Sequence, residues 1–80
     1  MVKLTGLVEE NGKIDITGVA KIVQGDVLDI DGREEIVLDV HEATIWTKQE
    51  NSSLEIEYSF DIDSKGKRTY LVREEICNGV

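Results

Sequence analysis

Eighty residues, 40% apolar and 32% charged, have the composition of one globular unit over 1–80, since a chain this short buries only about 60 to 65% of its unfolded surface and cannot supply two cores. Nine Lys and Arg against seventeen Asp and Glu leave a net charge of -8, which argues against direct binding to nucleic acid or an anionic membrane, where neutralised phosphates supply most of the affinity. No run nears the about 18 apolar residues of a membrane helix, no signal-peptide core follows Met1, and the one cysteine, Cys77, closes no internal disulfide, so the expectation is a soluble cytoplasmic protein.

Period-two alternation runs through nearly the whole chain and predicts half-buried strands over 2–8, 13–23, 26–31, 35–47, 53–63 and 67–76. In the second, Ile14, Ile16, Gly18, Ala20 and Ile22 alternate with Lys13, Asp15, Thr17, Val19 and Lys21. Leu28 and Ile30 then precede the Asp31-Gly32 turn, and Ile36, Leu38 and Val40 follow it as the next inward set. The chain continues through Ala43, Ile45 and Trp46, with Trp46 on the outer side beside Thr44 and Lys48. The sharpest pattern sets Leu54, Ile56, Tyr58, Phe60 and Ile62 against Glu55, Glu57, Ser59, Asp61 and Asp63.

Turn chemistry at Asn11-Gly12, Gln24-Gly25, Asp31-Gly32, the polar stretch 48–53 and Ser64-Lys65-Gly66 predicts antiparallel pairing of consecutive strands. For the last hairpin, Asp63 opposite Lys67 with Gly66 left-handed would pair Phe60 with Tyr70, Tyr58 with Val72 and Glu57 with Arg73, leaving Leu71 outside beside Ser59. Six short strands cannot bury enough as one flat sheet. The fold class is therefore all-β, an antiparallel meander closing into a bent sheet or a small SH3-like or OB-like barrel of five or six strands, with bends at Gly6, Gly18 and Gly25.

Thr5-Gly6-Leu7-Val8, then Asn11-Gly12-Lys13-Ile14-Asp15-Ile16, then Gly25-Asp26-Val27-Leu28-Asp29-Ile30 resembles the rhythm of AbrB-type swapped-hairpin regulators. Thr17 stands where that family has proline, and Glu9 and Glu10 stand where its basic residues meet DNA. The segment from Gly25 to Val40 is similar to the first hairpin of SH3-like barrels. Both resemblances imply a small all-β fold.

No chemistry of an enzyme emerges. Asp-Ile-Asp occurs at 29–31 and again at 61–63, yet a calcium loop begun at Asp61 meets Lys65 and Val72 where oxygen ligands are required, and in one begun at Asp29, Gly32 comes too early. His41, the only histidine, falls on an outer face among acids; Ser52, Ser53, Ser59 and Ser64 lie in polar turns or on outer faces, and no glycine-rich turn leads into a helix. The sequence thus predicts no catalysis, no metal and no cofactor. Asn51-Ser52-Ser53 reads as loop composition.

Binding remains. Residues 26–42 hold seven acids and one base, a net -6. The candidate partner-binding set is Asp26, Asp29, Asp31, Glu34, Glu35, Asp39, Glu42, Trp46, Glu55, Glu57, Asp61 and Asp63, the acids either forming a docking face or serving solubility and edge protection. The predicted partner is a basic, nucleic-acid-binding protein that this chain would inhibit, as small phage or mobile-element inhibitors and nucleic-acid mimics do. Carboxylates two apart on one strand are spaced about 6.6 Å, against about 3.4 Å for charges along a DNA strand, so mimicry needs two neighbouring strands to pool their acids. The alternatives are an assembly subunit forming homodimers or larger homo-oligomers through strand edges, and a nucleic-acid-binding barrel using Lys65, Lys67, Arg68 and Trp46.

Overall fold

Two turns set the frame, and each is built from a residue pair that tolerates left-handed backbone. Asn11 and Asp31 both sit at φ 54, followed by Gly12 at φ 78 and Gly32 at φ 86. Consecutive positive φ angles give a two-residue turn whose twist matches that of paired strands. The computed structural model describes residues 2–19 and 21–74, which form β1 (Lys3–Leu7), β2 (Glu9–Glu10), β3 (Lys13–Asp15), β4 (Val27–Ile30), β5 (Arg33–Val40), β6 (Thr44–Gln49), β7 (Glu55–Ile62) and β8 (Arg68–Arg73). Cys77 and residues 75–76 of the last predicted strand lie outside the described residues.

The eight strands make one sheet in the order β1-β4-β5-β6-β7-β8-β3-β2. Its edge strands, β1 and β2, are parted in sequence only by Val8, so the sheet curls until it nearly closes into a small barrel. The all-β class is as the alternation predicts, but the strands are shorter and more numerous than five or six. One pairing departs from the antiparallel expectation: β1 runs parallel to β4, with Lys3 opposite Val27 and Leu4 opposite Leu28. A parallel pair needs a crossover of about a dozen residues or more. The stretch from Glu9 to Asp26, carrying β2 and β3, provides it. Among the described residues no helix is long and apolar enough to cross a membrane.

Strand extent, the buried face of β5 and the register of the last hairpin are each corrected. The strand expected over 13–23 ends at Asp15, whose Oδ1 accepts from the Thr17 backbone N–H at 2.8 Å and so turns the chain out of the ladder. Ile16 and Ile22 are nevertheless buried, docking as loop residues against the same core. The span expected at 35–47 is two strands, β5 and β6, folded back at His41–Ala43 with His41 N–H bonded to the Thr44 carbonyl at 2.7 Å.

The second correction concerns which face of β5 is buried. The two-residue Asp31-Gly32 turn pairs Ile30 with Arg33 and Leu28 with Glu35, and cross-strand partners share a face. With Leu28 and Ile30 inside, as predicted, Arg33, Glu35 and Val37 must also point inward, and Ile36 and Leu38 outward. Glu35 and Val37 are indeed buried, while Ile36 and Leu38 are half-buried on the outer side. A bulge between Val37 and Asp39 then brings Val40 opposite Ile45 and back against the core.

The third lies in the last hairpin. Asp63 faces Lys67 and Gly66 is left-handed at φ 82, both as expected. A bulge between Asp61 and Ile62, pinned by Thr69 Oγ1 donating to the Asp61 carbonyl at 3.1 Å, then shifts the register so that Phe60 pairs with Leu71, Tyr58 with Arg73 and Ser59 with Val72. Leu71 is fully buried and Tyr70 faces out, the reverse of the predicted arrangement. Ile56, Tyr58 and Phe60 fill the interior as the alternation predicts, whereas Leu54 and Ile62 at the strand margins are exposed.

Candidate docking face

The outer surface of β4, β5, β6 and β7 follows directly from these registers. One row across it runs Val27, Ile36, Lys48, Glu55; the next sets Asp39 opposite Trp46 and Trp46 opposite Glu57. In the bulge two residues of β5 oppose one of β6, so Leu38 and Asp39 both meet Trp46. Val27, Ile36, Leu38 and Trp46 therefore form a partly buried apolar strip on the outside of the barrel.

Trp46 is held in a fixed pose within that strip. Its indole N–H donates to Glu57 Oε1 at 3.2 Å, and His41 packs edge-on against the ring with centroids 5.1 Å apart and planes at 89°. His41 Nε2 lies 3.3 Å from Asp39 Oδ2, so the aromatic pair is bracketed by a carboxylate on each side. Lys48 is the one cation among these outer-row partners.

The candidate acids divide. Asp26 is buried, and its two oxygens accept from the Val2 N–H at 3.1 Å and the Val23 N–H at 3.0 Å, which staples β1 to the loop before β4. Glu35 is buried as well, so neither residue belongs to a surface. Asp29 and Asp63 are engaged in turns, accepting from the backbone N–H of Gly32 and of Lys65 and Lys67 respectively, and Asp31 accepts from the backbone N–H of Glu9 on β2. Glu34 pairs with Lys3 at 2.6 Å. Asp39, Glu42, Glu55, Glu57 and Asp61 are exposed. Strand β6 separates Asp39 on β5 from Glu55 and Glu57 on β7, so these acids border an aromatic strip instead of pooling on neighbouring strands. Among the described residues no group of three or more His, Cys, Asp or Glu side chains could hold a metal ion.

Sequence reasoning missed a second cluster, inside the barrel. Glu35 Oε1 accepts from Thr47 Oγ1 at 2.9 Å and from the Tyr58 hydroxyl at 2.8 Å, and its Oε2 accepts from Arg33 Nε at 2.9 Å. Arg33 Nη2 also bonds Glu9, whose other oxygen lies 3.7 Å from Arg73 Nη1. Alternating charges thus run from the interior to one end of the barrel. Burial, then the charge of Glu35 and the hydrogen bond to it, pushes the Tyr58 phenol well above its ordinary value. Burial opposes the Arg33 cation, but the hydrogen bonds to Glu35 and Glu9 outweigh it and raise the guanidinium further. Among the described residues no buried side-chain nitrogen or oxygen lacks a partner. Three donors on one buried carboxylate tie its neighbouring strands together inside the barrel. The signal in the sequence was the turn length, which forces Glu35 to the same side as Leu28.

Comparison of the chain with protein-family models, curated proteins and solved structures finds no match.

Proposed function

We propose that this chain is a non-enzymatic binding module that docks on a basic partner protein through the outer face of β4–β7 and regulates or blocks that partner's nucleic-acid-binding surface. The observation that carries the reading is the pose of Trp46: an aromatic side chain amid Ile36 and Leu38 on the outside of the barrel, bordered by Asp39 and Glu57 in adjacent register. An apolar centre with an aromatic anchor and a charged rim is the anatomy of a protein interface. The sign of the rim and the net charge of -8 select a cationic partner. The proposal sets the module in the cytoplasm, where such partners work.

Two copies of the chain meeting through this face would bring Asp39 and Glu57 against acids of the same kind, which favours a foreign partner over a homodimer. A phosphate backbone would meet the same repulsion.

Trp46 is the only tryptophan, so its emission reports docking directly. Titration with basic nucleic-acid-binding proteins should shift that emission to the blue, with affinity falling steeply as salt rises from about 50 to 300 mM. Trp46→Ala and Glu57→Lys should each weaken binding at least about tenfold. Affinity that is flat with salt would overturn the acidic rim, and binding that leaves the emission unchanged would move the interface off Trp46.

A further inference from the structure

The cations of this acidic chain are unevenly used. Lys3, Arg33 and Arg73 pair with carboxylates, and Lys13 lies over the Tyr70 ring at 5.9 Å. Among the described residues the other five cations form no ion pair; Lys48 lies on the outer face of β6 and Lys65 in the β7–β8 turn, which leaves Lys21, Lys67 and Arg68. All three instead line one cleft, of about 350 Å³, between the loop from Ile16 to Ile22 and the β7–β8 hairpin. Its apolar floor includes Ile22 and Phe60, and no carboxylate belongs to its lining.

The acids nearest in sequence are turned to other work. Asp15 accepts from Thr17, by both its backbone N–H and its hydroxyl, and Asp63 accepts from the Lys65 and Lys67 backbone N–H groups. Arg68 is already placed. Its guanidinium stacks over Phe60 at 4.1 Å, and Nη2 donates to the Glu42 carbonyl at 3.0 Å, leaving further N–H donors at the cleft mouth. A stacked guanidinium offers a flat surface to a second planar group and charge-assisted bonds to an anion together.

We propose that this cleft binds a small amphipathic anion, a phosphate monoester carrying a planar apolar group, with the ring over Arg68 and Ile22 and the phosphate between Lys21 and Lys67. A volume of about 350 Å³ accommodates one such molecule. A single small anion meets far less of the long-range repulsion that a net charge of -8 imposes on a nucleic-acid polymer. The inference is independent of the docking face, because Trp46 projects from the outer side of β6 and takes no part in the cleft.

The test is an amide chemical-shift titration of the full chain with phenyl phosphate, with inorganic phosphate and phenol as separate arms. Saturable shifts are expected at residues 16–19, 21–22 and 66–68, with a dissociation constant on the order of 1 mM for so small a probe. Inorganic phosphate and phenol should each bind at least about tenfold more weakly. Lys67→Glu should weaken phenyl phosphate at least about tenfold, while Lys48→Glu, a control on β6, and Trp46→Ala leave it unchanged. Spectral dispersion shows that each variant is folded. Shifts scattered over all lysines, equal losses in Lys67→Glu and Lys48→Glu, or inorganic phosphate binding as well as phenyl phosphate would overturn the proposal.

Discussion

Tyr58 on β7 donates its hydroxyl to Glu35 on β5 at 2.8 Å, across the interior of the barrel and over the intervening strand β6. Thr47 on β6 donates to the same oxygen at 2.9 Å, so three adjacent strands converge on one carboxylate whose residue is 0% exposed. Such a bond set fixes the mutual register of β5, β6 and β7, because slipping any strand by one residue would remove a donor and bury an unpaired charge. Glu35→Ala should therefore cost about 3 to 5 kcal/mol, since it leaves the buried Thr47 and Tyr58 hydroxyls without their acceptor and removes the inner partner of Arg33. Tyr58→Phe, which removes one donor of three, should cost about 1.5 to 3 kcal/mol. Urea unfolding followed by Trp46 fluorescence measures both; a Glu35→Ala variant no less stable than Tyr58→Phe would mean that the network does not act as a unit.

The same contact predicts an alkaline limb of stability. Burial, the charge of Glu35 and the bond to it raise the folded-state pKa of Tyr58 above its unfolded value of about 10. A raised pKa means that the folded state holds the proton more tightly, so the stabilisation is fully present below about pH 10 and is lost as pH rises through that value toward the folded pKa. Unfolding free energy should decline above about pH 10, and Tyr58→Phe should flatten that decline. A decline of the same slope in the phenylalanine variant would assign it to other groups.

Turn chemistry is the part of this fold most legible in the sequence, and Gly32 tests it. The residue sits at φ 86, and an added Cβ would meet no atom within 4 Å, so the cost of replacing it is purely one of backbone conformation. Gly32→Ala should cost about 1 to 2 kcal/mol, and Gly32→Asn less, because asparagine tolerates the left-handed region. Equal losses from thermal melts of the two variants would place the cost elsewhere than in φ.

What the sequence hid follows from the same turns. Alternation identified Leu28, Ile30, Ile45, Ile56, Tyr58 and Phe60 as interior, most sharply in β7, where apolar and polar residues strictly alternate. It failed on β5 and β8. There, hydropathy favoured Ile36 and Leu38 over Glu35, and Tyr70 over Leu71, while the actual faces were set by a two-residue turn and a bulge that hydropathy does not register. It also over-extended β3, since Asp15 and Thr17 fit an alternating pattern and yet bond each other instead of a neighbouring strand. For the candidate face, Trp46, Asp39 and Glu57 were legible from parity. Ile36 and Leu38 were not, and they are what converts a lone outward tryptophan into a strip.

That strip yields a last prediction, in which stability and binding separate along one strand. Val37, 1% exposed, packs in the core, while its neighbour Ile36 is half-buried on the outside between Val27 and Lys48. Val37→Ala should cost about 1 to 3 kcal/mol through the lost burial and the cavity left behind. Ile36→Ala removes more atoms but from a surface still in contact with water, and should cost less than about 1 kcal/mol. Affinity for a basic partner should show the opposite order, falling at least about fivefold in Ile36→Ala and holding in Val37→Ala at a temperature where both are folded. Urea unfolding and the Trp46 emission titration give the two quantities on the same samples. Should Ile36→Ala prove as destabilising as Val37→Ala, the outer strip would be part of the core and closed to any partner.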